Sequence, residues 1–557
     1  MDQDFHYFAT YTAARIVGFD YDEAAILARA ANYVDFFSES RFRGYWVFKK
    51  GGREIATVNY PRYTFQANLT GNAVGAEGLW AAFHFLPGNY KVDGQHAMQL
   101  PPNLVKQMSQ GTFTMRDQTS GDDVSSQWRL TRPLGALSRA IVTDLHLLAK
   151  DGVREILEYG PGLKDFIAKE KDHDTEKRFL NILTGLRSHV IADTWAHQDF
   201  TGVRSVINTY YDVDDVKKKP YGIRYKVPVD EKKKQYYRMK YGDDYKFPGE
   251  DYTYRVLWEG HPFQGMEHTG KDEEYKRVTA DKAFKQLKKE RNNVFAAAPA
   301  IGKLAYLGHG WMGHLPDYSF ISYKYRPTWM KNYAQHERNN PEVYLDAFYD
   351  ILYLLHVVKE KEKEQSPWLI PWLLKVTKTK DLIKKAITSV WTANSEIPRV
   401  FSADAWRTCI KDMSYQLPPP LNTFIETGDH AKLDGEQNVT FKGKKVLTAY
   451  GTFTMEIMND KGKPCDFYLF QLAADYHFHY VKSWLKIFRK HTLNDSWSTQ
   501  PGPLGSDVSK LTDQRVEKLK QPLKRPQQIP PAPPEPQQHK QPPPLMRQKG
   551  GFLKKEK

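Results

Sequence analysis

Cysteine is nearly absent: among 557 residues there are two, Cys409 and Cys465, far apart in the chain. That excludes a disulfide framework and a thiolate zinc knuckle, so a metal held here is held by histidine and carboxylate. Long apolar runs are missing too, and no stretch reaches the roughly 18 residues that a membrane span requires. The opening Met1-Asp2-Gln3-Asp4-Phe5-His6 has neither the basic region nor the apolar run of a secretory signal. The chain therefore reads as made in the cytosol, with export or delivery without a classical signal left open. Internal repeats are also lacking.

What is present is globular in character, with 40% hydrophobic and 13% aromatic residues. The formal net charge of +15 favours an anionic partner or substrate. Much of that excess is local: it lies beyond Ser506 and in runs such as Lys217-Lys218-Lys219 and Lys232-Lys233-Lys234, which read equally as solvated surface.

Apolar spacing predicts a mainly α fold with small β inserts. Helices are expected over Phe8–Gly18 and Tyr21–Val34, separated by the stop and new cap of Gly18-Phe19-Asp20. Others are expected over Leu134–Leu148, Val153–Leu157, Lys177–Trp195, Ala296–Leu307, Glu342–Lys359, Asp381–Trp391 and Leu469–Phe488. A hairpin is expected between Tyr45 and Phe65 around Lys50-Gly51-Gly52, and further strands between Asn438 and Met458. The organisation that follows is a helical metal-binding core over 1–209 and 292–400, a basic Tyr- and Lys-rich insertion over 210–291, and a C-terminal α+β segment over 401–500. A disordered Pro-rich basic tail over 501–557, containing Pro530-Pro531-Ala532-Pro533-Pro534, completes it.

The chemistry is concentrated in Ser188-His189-Val190-Ile191-Ala192-Asp193-Thr194-Trp195-Ala196-His197. His189, Asp193 and His197 are four apart, so on a helix they share one face. Apolar neighbours crowd the other positions, so the helix is expected to be buried. Three ionisable groups buried without partners would cost several kcal/mol, whereas two imidazoles and a carboxylate suit zinc. Elsewhere, His6 precedes the first helix with Asp2 and Asp4 beside it, Asp35 follows an apolar helix end, and His84 lies between aromatics. Each of these reads equally as a terminus or core residue when taken alone. In Leu307-Gly308-His309-Gly310-Trp311-Met312-Gly313-His314-Leu315-Pro316-Asp317, glycines allow close approach to a metal, His309 is a candidate ligand, and His314 and Asp317 compete for the next place.

Taken in order, these residues resemble the superfamily of zinc-dependent phospholipase C and the fungal single-strand nucleases, and the opening Asp-x-Asp-Phe-His-Tyr is similar to a bacterial branch of it. The resemblance covers the first 200 residues and a patch near 310. It implies a helical core holding two or three zinc ions. Asp35, His84, His189 and Asp193 would surround one; His197, His309 and Asp317 a second; and His6, Asp193 as a bridge and an N-terminal Asp a third. Secreted relatives use the free amine of a processed N-terminal Trp; with Met1 ahead of Asp2, a carboxylate from Asp2 or Asp4 is expected instead. The last pair is also wider here, with Gly313 at the usual carboxylate position.

The implied activity is phosphodiester hydrolysis by metal-activated water, with Asp35 orienting or deprotonating that water. Phospholipid is the first substrate expected, and Trp368-Leu369-Ile370-Pro371-Trp372-Leu373-Leu374 would serve as an interfacial anchor at a membrane surface. Single-stranded nucleic acid is the alternative, with the Tyr/Lys insertion stacking bases and meeting phosphates. Two further readings are an effector or toxin delivered without a signal, and a metal-stabilised scaffold whose Pro-rich tail recruits a protein partner.

Overall fold

The computed structural model describes residues 1, 4–37, 44–58, 62–65, 73–88, 91–92, 95–96, 130–171, 173–202, 208, 213–214, 219–220, 223–228, 252–257, 308–309, 315–320, 322–325, 336–360, 371–388, 403–420, 433–434, 439–441, 444–446, 451–488 and 502–519. These residues lie in one compact unit that ends at Leu523, and the architecture is mainly α.

The chain enters through a π-helical turn, Phe5–Ala9, and continues as α1, Thr10–Val17. Gly18, at φ 104°, ends α1 in a left-handed conformation that other residues adopt only at a cost. Asp20 then starts α2, Tyr21–Tyr33, through a capping box: its carboxylate accepts from the Glu23 amide at 2.8 Å, and Glu23 accepts from the Asp20 amide at 3.0 Å. The remaining helices are α3 (Ala73–Phe83), α4 (Ala136–Asp151), α5 (Arg154–Glu158), α6 (Lys164–Lys169), α7 (Asp174–Ala196), α8 (Asn340–Lys359), α9 (Pro371–Thr388), α10 (Ala403–Asp412), α11 (Asp466–Phe488) and α12 (Val508–Lys518).

The organising element is α7. From Asn181 to Ala196 every residue of it is buried, and α2, α8 and α11 pack around it. Buried on every side over this stretch, α7 has no solvent face, and its polar residues, Arg187, His189 and Asp193 among them, are buried with the apolar ones. Its approach to α2 is set by small residues. A Cβ on Gly185 would stand 2.2 Å from the Leu27 carbonyl oxygen and 2.9 Å from the Ala30 Cβ, so the Ala-rich stripe of α2 meets α7 nearly backbone to backbone.

Two four-stranded sheets flank the helices. Strands β1 (Gly44–Lys50) and β2 (Arg53–Val58) form the expected hairpin, turning at Gly51-Gly52, with φ 58° and 75°. The second sheet joins β3 (Ile223–Pro228) and β4 (Tyr252–Leu257) to β5 (Ser322–Tyr325) and β6 (His336–Asn339), in the order β6-β5-β3-β4. Late in the chain, β7 (Leu433–Asp434) and β8 (Gly451–Glu456) complete the first sheet, in the order β7-β8-β1-β2, with β8 parallel to β1.

Some expectations shift. The stretch 210–291, expected as a basic insertion, supplies β3 and β4 to a sheet shared with β5 and β6. The segment 401–500 reaches into the core itself, where α11 packs along α7. The disordered tail was expected to begin at 501, and this start is too early. Leu504, Val508, Leu511, Val516 and Leu519 are buried, and α12 packs on α11 because its apolar residues recur at helical spacing. The proline-rich remainder, the helix expected over Ala296–Leu307 and the Trp368-Leu369-Ile370 part of the anchor lie outside the described residues. Pro371 opens α9, ten residues before the helix expected there. Among the described residues no helix is long and apolar enough to cross a membrane.

Candidate metal centre

The site grows from the C-terminal end of α7, and a buried cation holds that end. Arg338 on β6 donates to the carbonyls of Trp195, Ala196 and Gln198 at 3.2, 3.1 and 2.9 Å. It thus satisfies acceptors that every helix leaves open at this end, where the dipole favours positive charge. Asp199, at φ 83°, anchors the arginine: its carboxylate meets Arg132 at 2.5 Å, His336 at 2.9 Å and Arg338 at 3.3 Å. Burial opposes ionisation of Asp199, but His336, Arg132 and Arg338 outweigh it and hold the carboxyl far below the usual range. The sequence reading missed all four residues. The available signal was a charged residue directly after a buried helix and the alternating His336-Glu337-Arg338-Asn339, in which the first and third are buried.

His189 and Asp193 project from the last turns of α7, while His197 occupies the C-cap at φ −94° and ψ 9°. Leaving the helix there separates His197 from the other two, and three donor groups result: His6, His189 and Asp193; Asp35, His84 and His189; and His197, His309 and Asp317. Asp35 lies in the turn after α2 and His84 follows α3 directly. Asp317 sits in a short turn that Tyr344 of α8 fixes by donating to the Asp317 and Pro316 carbonyls. Gly308, at φ 57°, lets the chain carrying His309 pass the Phe85 ring: a Cβ there would lie 2.4 Å from the ring. Phe85 in turn stacks on His197 with centroids 4.4 Å apart.

The hydrogen-bond network assigns the ring tautomers. His189 Nδ1 donates to the Ala31 carbonyl at 2.9 Å, His84 Nε2 to Thr64 at 3.0 Å, and His197 Nδ1 to the His84 carbonyl at 2.7 Å. In the neutral rings the opposite nitrogens are lone pairs, and these are the atoms that converge. His189 Nε2 and His84 Nδ1 stand 3.3 Å apart, and Asp193 Oδ2 is 3.1 Å from each. His197 Nε2 lies 3.0 Å from Asp317 Oδ1, and His309 Nε2 3.4 Å from Oδ2 of the same carboxylate. Acceptors facing acceptors in a buried site repel unless a cation lies between them. A backbone carbonyl fixing the far nitrogen is also the usual outer support of a metal-binding histidine. The donor set therefore fits a metal of the kind that takes imidazole and carboxylate.

His6 stacks on His189 with centroids 3.7 Å apart, and its Nε2 lies 3.2 Å from Asp193 Oδ1. It is fully buried with no hydrogen bond to either nitrogen, and burial, reinforced by His189, pushes its pKa down to about 3. Its placement on a π turn fits the tendency of such turns to occur at functional sites. The Met1 amine lies 2.8 Å from Asp193 Oδ1 and 3.2 Å from Asp317 Oδ1. Burial disfavours its charge, but Asp193, Asp317 and Asp35 outweigh that and raise its pKa to about 11. Asp193 is likewise held well below the usual carboxylate range: burial acts against this, while His197, the Met1 amine, His189 and His6 prevail.

Nine of the eleven predicted residues are described, and eight of these, namely His6, Asp35, His84, His189, Asp193, His197, His309 and Asp317, fall in the three groups. The ninth, Asp4, does not; its Oδ1 accepts from the Phe5 amide at 2.9 Å and caps the π turn. A carboxylate so close to a helix start is drawn to the open amides there. Asp2 and His314 lie outside the described residues, and Asp317 is the carboxylate beside His309.

No curated protein and no solved structure matches the chain. One family model does, over residues 1–485, a span that contains every donor named above. The chain is therefore a member of that family, a family of unknown function designated DUF6765.

Proposed function

We propose that this protein is a zinc-dependent phosphodiester hydrolase of the phospholipase C type. The observation that carries the reading is the convergence of imidazole lone pairs on Asp193 and Asp317, with each ring oriented by a carbonyl behind it. Zinc held by such donors supplies Lewis acidity at a phosphoryl oxygen and acidifies water near neutral pH.

The chain's own groups do the rest. Asp193 and His189 belong to the deepest part of the site and hold its geometry. Asp35, with its side chain 24% exposed, is the most accessible carboxylate of the set, and faces His84 Nδ1 at 3.7 Å and His189 Nε2 at 3.8 Å. It orients a water and takes its proton as the water oxygen attacks phosphorus in line. The bond to the leaving oxygen breaks, and that oxygen is protonated from solvent.

The test pairs composition with activity. Metal content per chain is measured by plasma mass spectrometry for wild type and Asp193→Ala, alongside release of phosphorylated headgroup from phosphatidylcholine liposomes and cleavage of single-stranded DNA and RNA. The expected result is two or three zinc ions in wild type, loss of more than one in the variant, and headgroup release. Nucleic acid cleavage without headgroup release would move the same centre to a nuclease. A protein that purifies free of metal and hydrolyses neither substrate would overturn the proposal, and one that keeps metal without hydrolysing either would leave a metal-stabilised scaffold.

A further inference from the structure

A second cluster of charge shares no residue with the donor groups. Five lysines from three separate stretches, Lys50, Lys169, Lys171, Lys461 and Lys463, line a cleft of about 570 Å³. Local constraints fix the backbone on each side. The β1–β2 turn is clamped by Glu456, whose two oxygens accept from the Gly51 and Gly52 amides at 2.7 and 3.1 Å. The 459–463 turn is held by the Asn459 side chain, which accepts from the Lys461 and Lys463 amides at 3.0 Å each. Gly162 sits so close to the hairpin that a Cβ would meet Ile55 at 2.7 Å, and Lys50 Nζ donates to its carbonyl at 2.9 Å.

The neighbouring carboxylates offset this group only in part, because two acids, Asp165 and Glu170, stand among the lining residues against five lysines. Glu456 is committed to the two turn amides. Glu170 accepts from the Thr175 hydroxyl and amide at 2.7 and 3.2 Å, and Asp174 pairs with Lys463 at 2.8 Å. Asp165 is the other acid lining the cleft. Lys169, Lys171 and Lys461 line it and are exposed, and an anion among them would offset the repulsion of like charges. Half-buried Phe166 adds one apolar surface among the cations.

We infer that this cleft binds an anion carrying two or more phosphate groups. Its volume suits a small molecule or a single headgroup, and ammonium groups supplied by three stretches of chain match phosphates as point charges. The chemistry is shared by a free phosphorylated sugar and a polyphosphorylated lipid headgroup. The inference stands apart from the metal centre and survives its failure.

Full-length protein is titrated calorimetrically with fructose 1,6-bisphosphate. It is also floated with phosphatidylcholine vesicles with and without phosphatidylinositol bisphosphate, at fixed ionic strength. Binding in one arm identifies the source, free or lipid. The combined Lys169→Ala, Lys171→Ala and Lys461→Ala variant is expected to weaken it by on the order of tenfold. A control removing the same charge from other elements, Lys384→Ala, Lys411→Ala and Lys518→Ala, is expected to leave it within about twofold. All six side chains are exposed, so both variants should fold. Absence of binding in both arms, or equal weakening by the two variants, overturns the inference.

Discussion

Helix α7 carries two buried polar clusters, and they are built on opposite principles. At its middle, Arg187 donates to Asp144 at 2.7 Å, and the same carboxylate accepts from Arg515 at 2.8 Å and from the Tyr476 hydroxyl at 3.0 Å. Here a buried anion is surrounded by donors that all come from the protein. Two residues further on begins the row His189, Asp193, His197, where carboxylate oxygens face ring nitrogens whose hydrogens point the other way. The first cluster closes around its anion with the protein's own donors; the second presents donor groups that could hold a metal ion. Burial and charge content alone do not distinguish them, and the direction of the hydrogens does.

That contrast is open to direct attack. The largest effect is expected from Asp193→Asn, which keeps the shape but removes the shared anion. Hydrolysis should fall roughly a thousandfold or more and more than one metal should be lost. The unfolding free energy of the chelator-treated protein should fall by less than in Asp144→Asn, because the new amide can donate to the ring lone pairs and the buried Met1 amine, which loses its partner at 2.8 Å, keeps Asp317 at 3.2 Å. Asp144→Asn should do the reverse, leaving Arg187 and Arg515 without their anion and lowering stability by about 3–5 kcal/mol in urea titrations, with metal content per folded chain unchanged. If both substitutions destabilise equally and neither releases metal, the distinction fails.

Gly185→Ala tests how the two helices that frame the centre are spaced. A methyl group 2.2 Å from a carbonyl oxygen must push α2 from α7, at about 2 kcal/mol in thermal or urea unfolding. Because the Ala31 carbonyl holds His189, metal retention in a chelator competition should weaken as well.

The smallest effect concerns acid. His477 on α11 is fully buried; burial, aided by Arg187, lowers its pKa to about 3, and its Nε2 donates to the Ala82 carbonyl at 2.9 Å. A neutral folded histidine that gains a proton on unfolding contributes stability above the unfolded value of 6.5, which is lost as pH falls toward 3. His477→Gln should therefore flatten the dependence of unfolding free energy on pH between 6.5 and 5.5 by about 1 kcal/mol.

Much of this could be seen in the sequence where the information was local. The capping box at Asp20, the Gly51-Gly52 turn and the periodicity of α7 and α8 gave their elements without further help. The ligand types and their order gave eight donors. What escaped depends on distant partners. Asp4 was misjudged because amide capping and metal binding call for the same residue type. Arg338 and Asp199, 139 positions apart, form a pair that no spacing rule encodes. Nor did the composition of the basic tail reveal that its first part, α12, supplies Arg515 to the core.

The parallel pairing of β1 with β8 bears on how the molecule comes into being. Gly44 waits for Gly451 across roughly four hundred residues, a non-local contact of the kind that slows folding. During synthesis at about 5–20 residues per second, one edge of β1 stays open for roughly 20–80 s, with its aromatic Tyr45-Trp46-Val47-Phe48 run available to any other strand. The nascent chain thus passes through an interval in which self-association competes with folding. Chaperone demand and yield on overexpression should follow the sequence of β1 more closely than that of the metal centre.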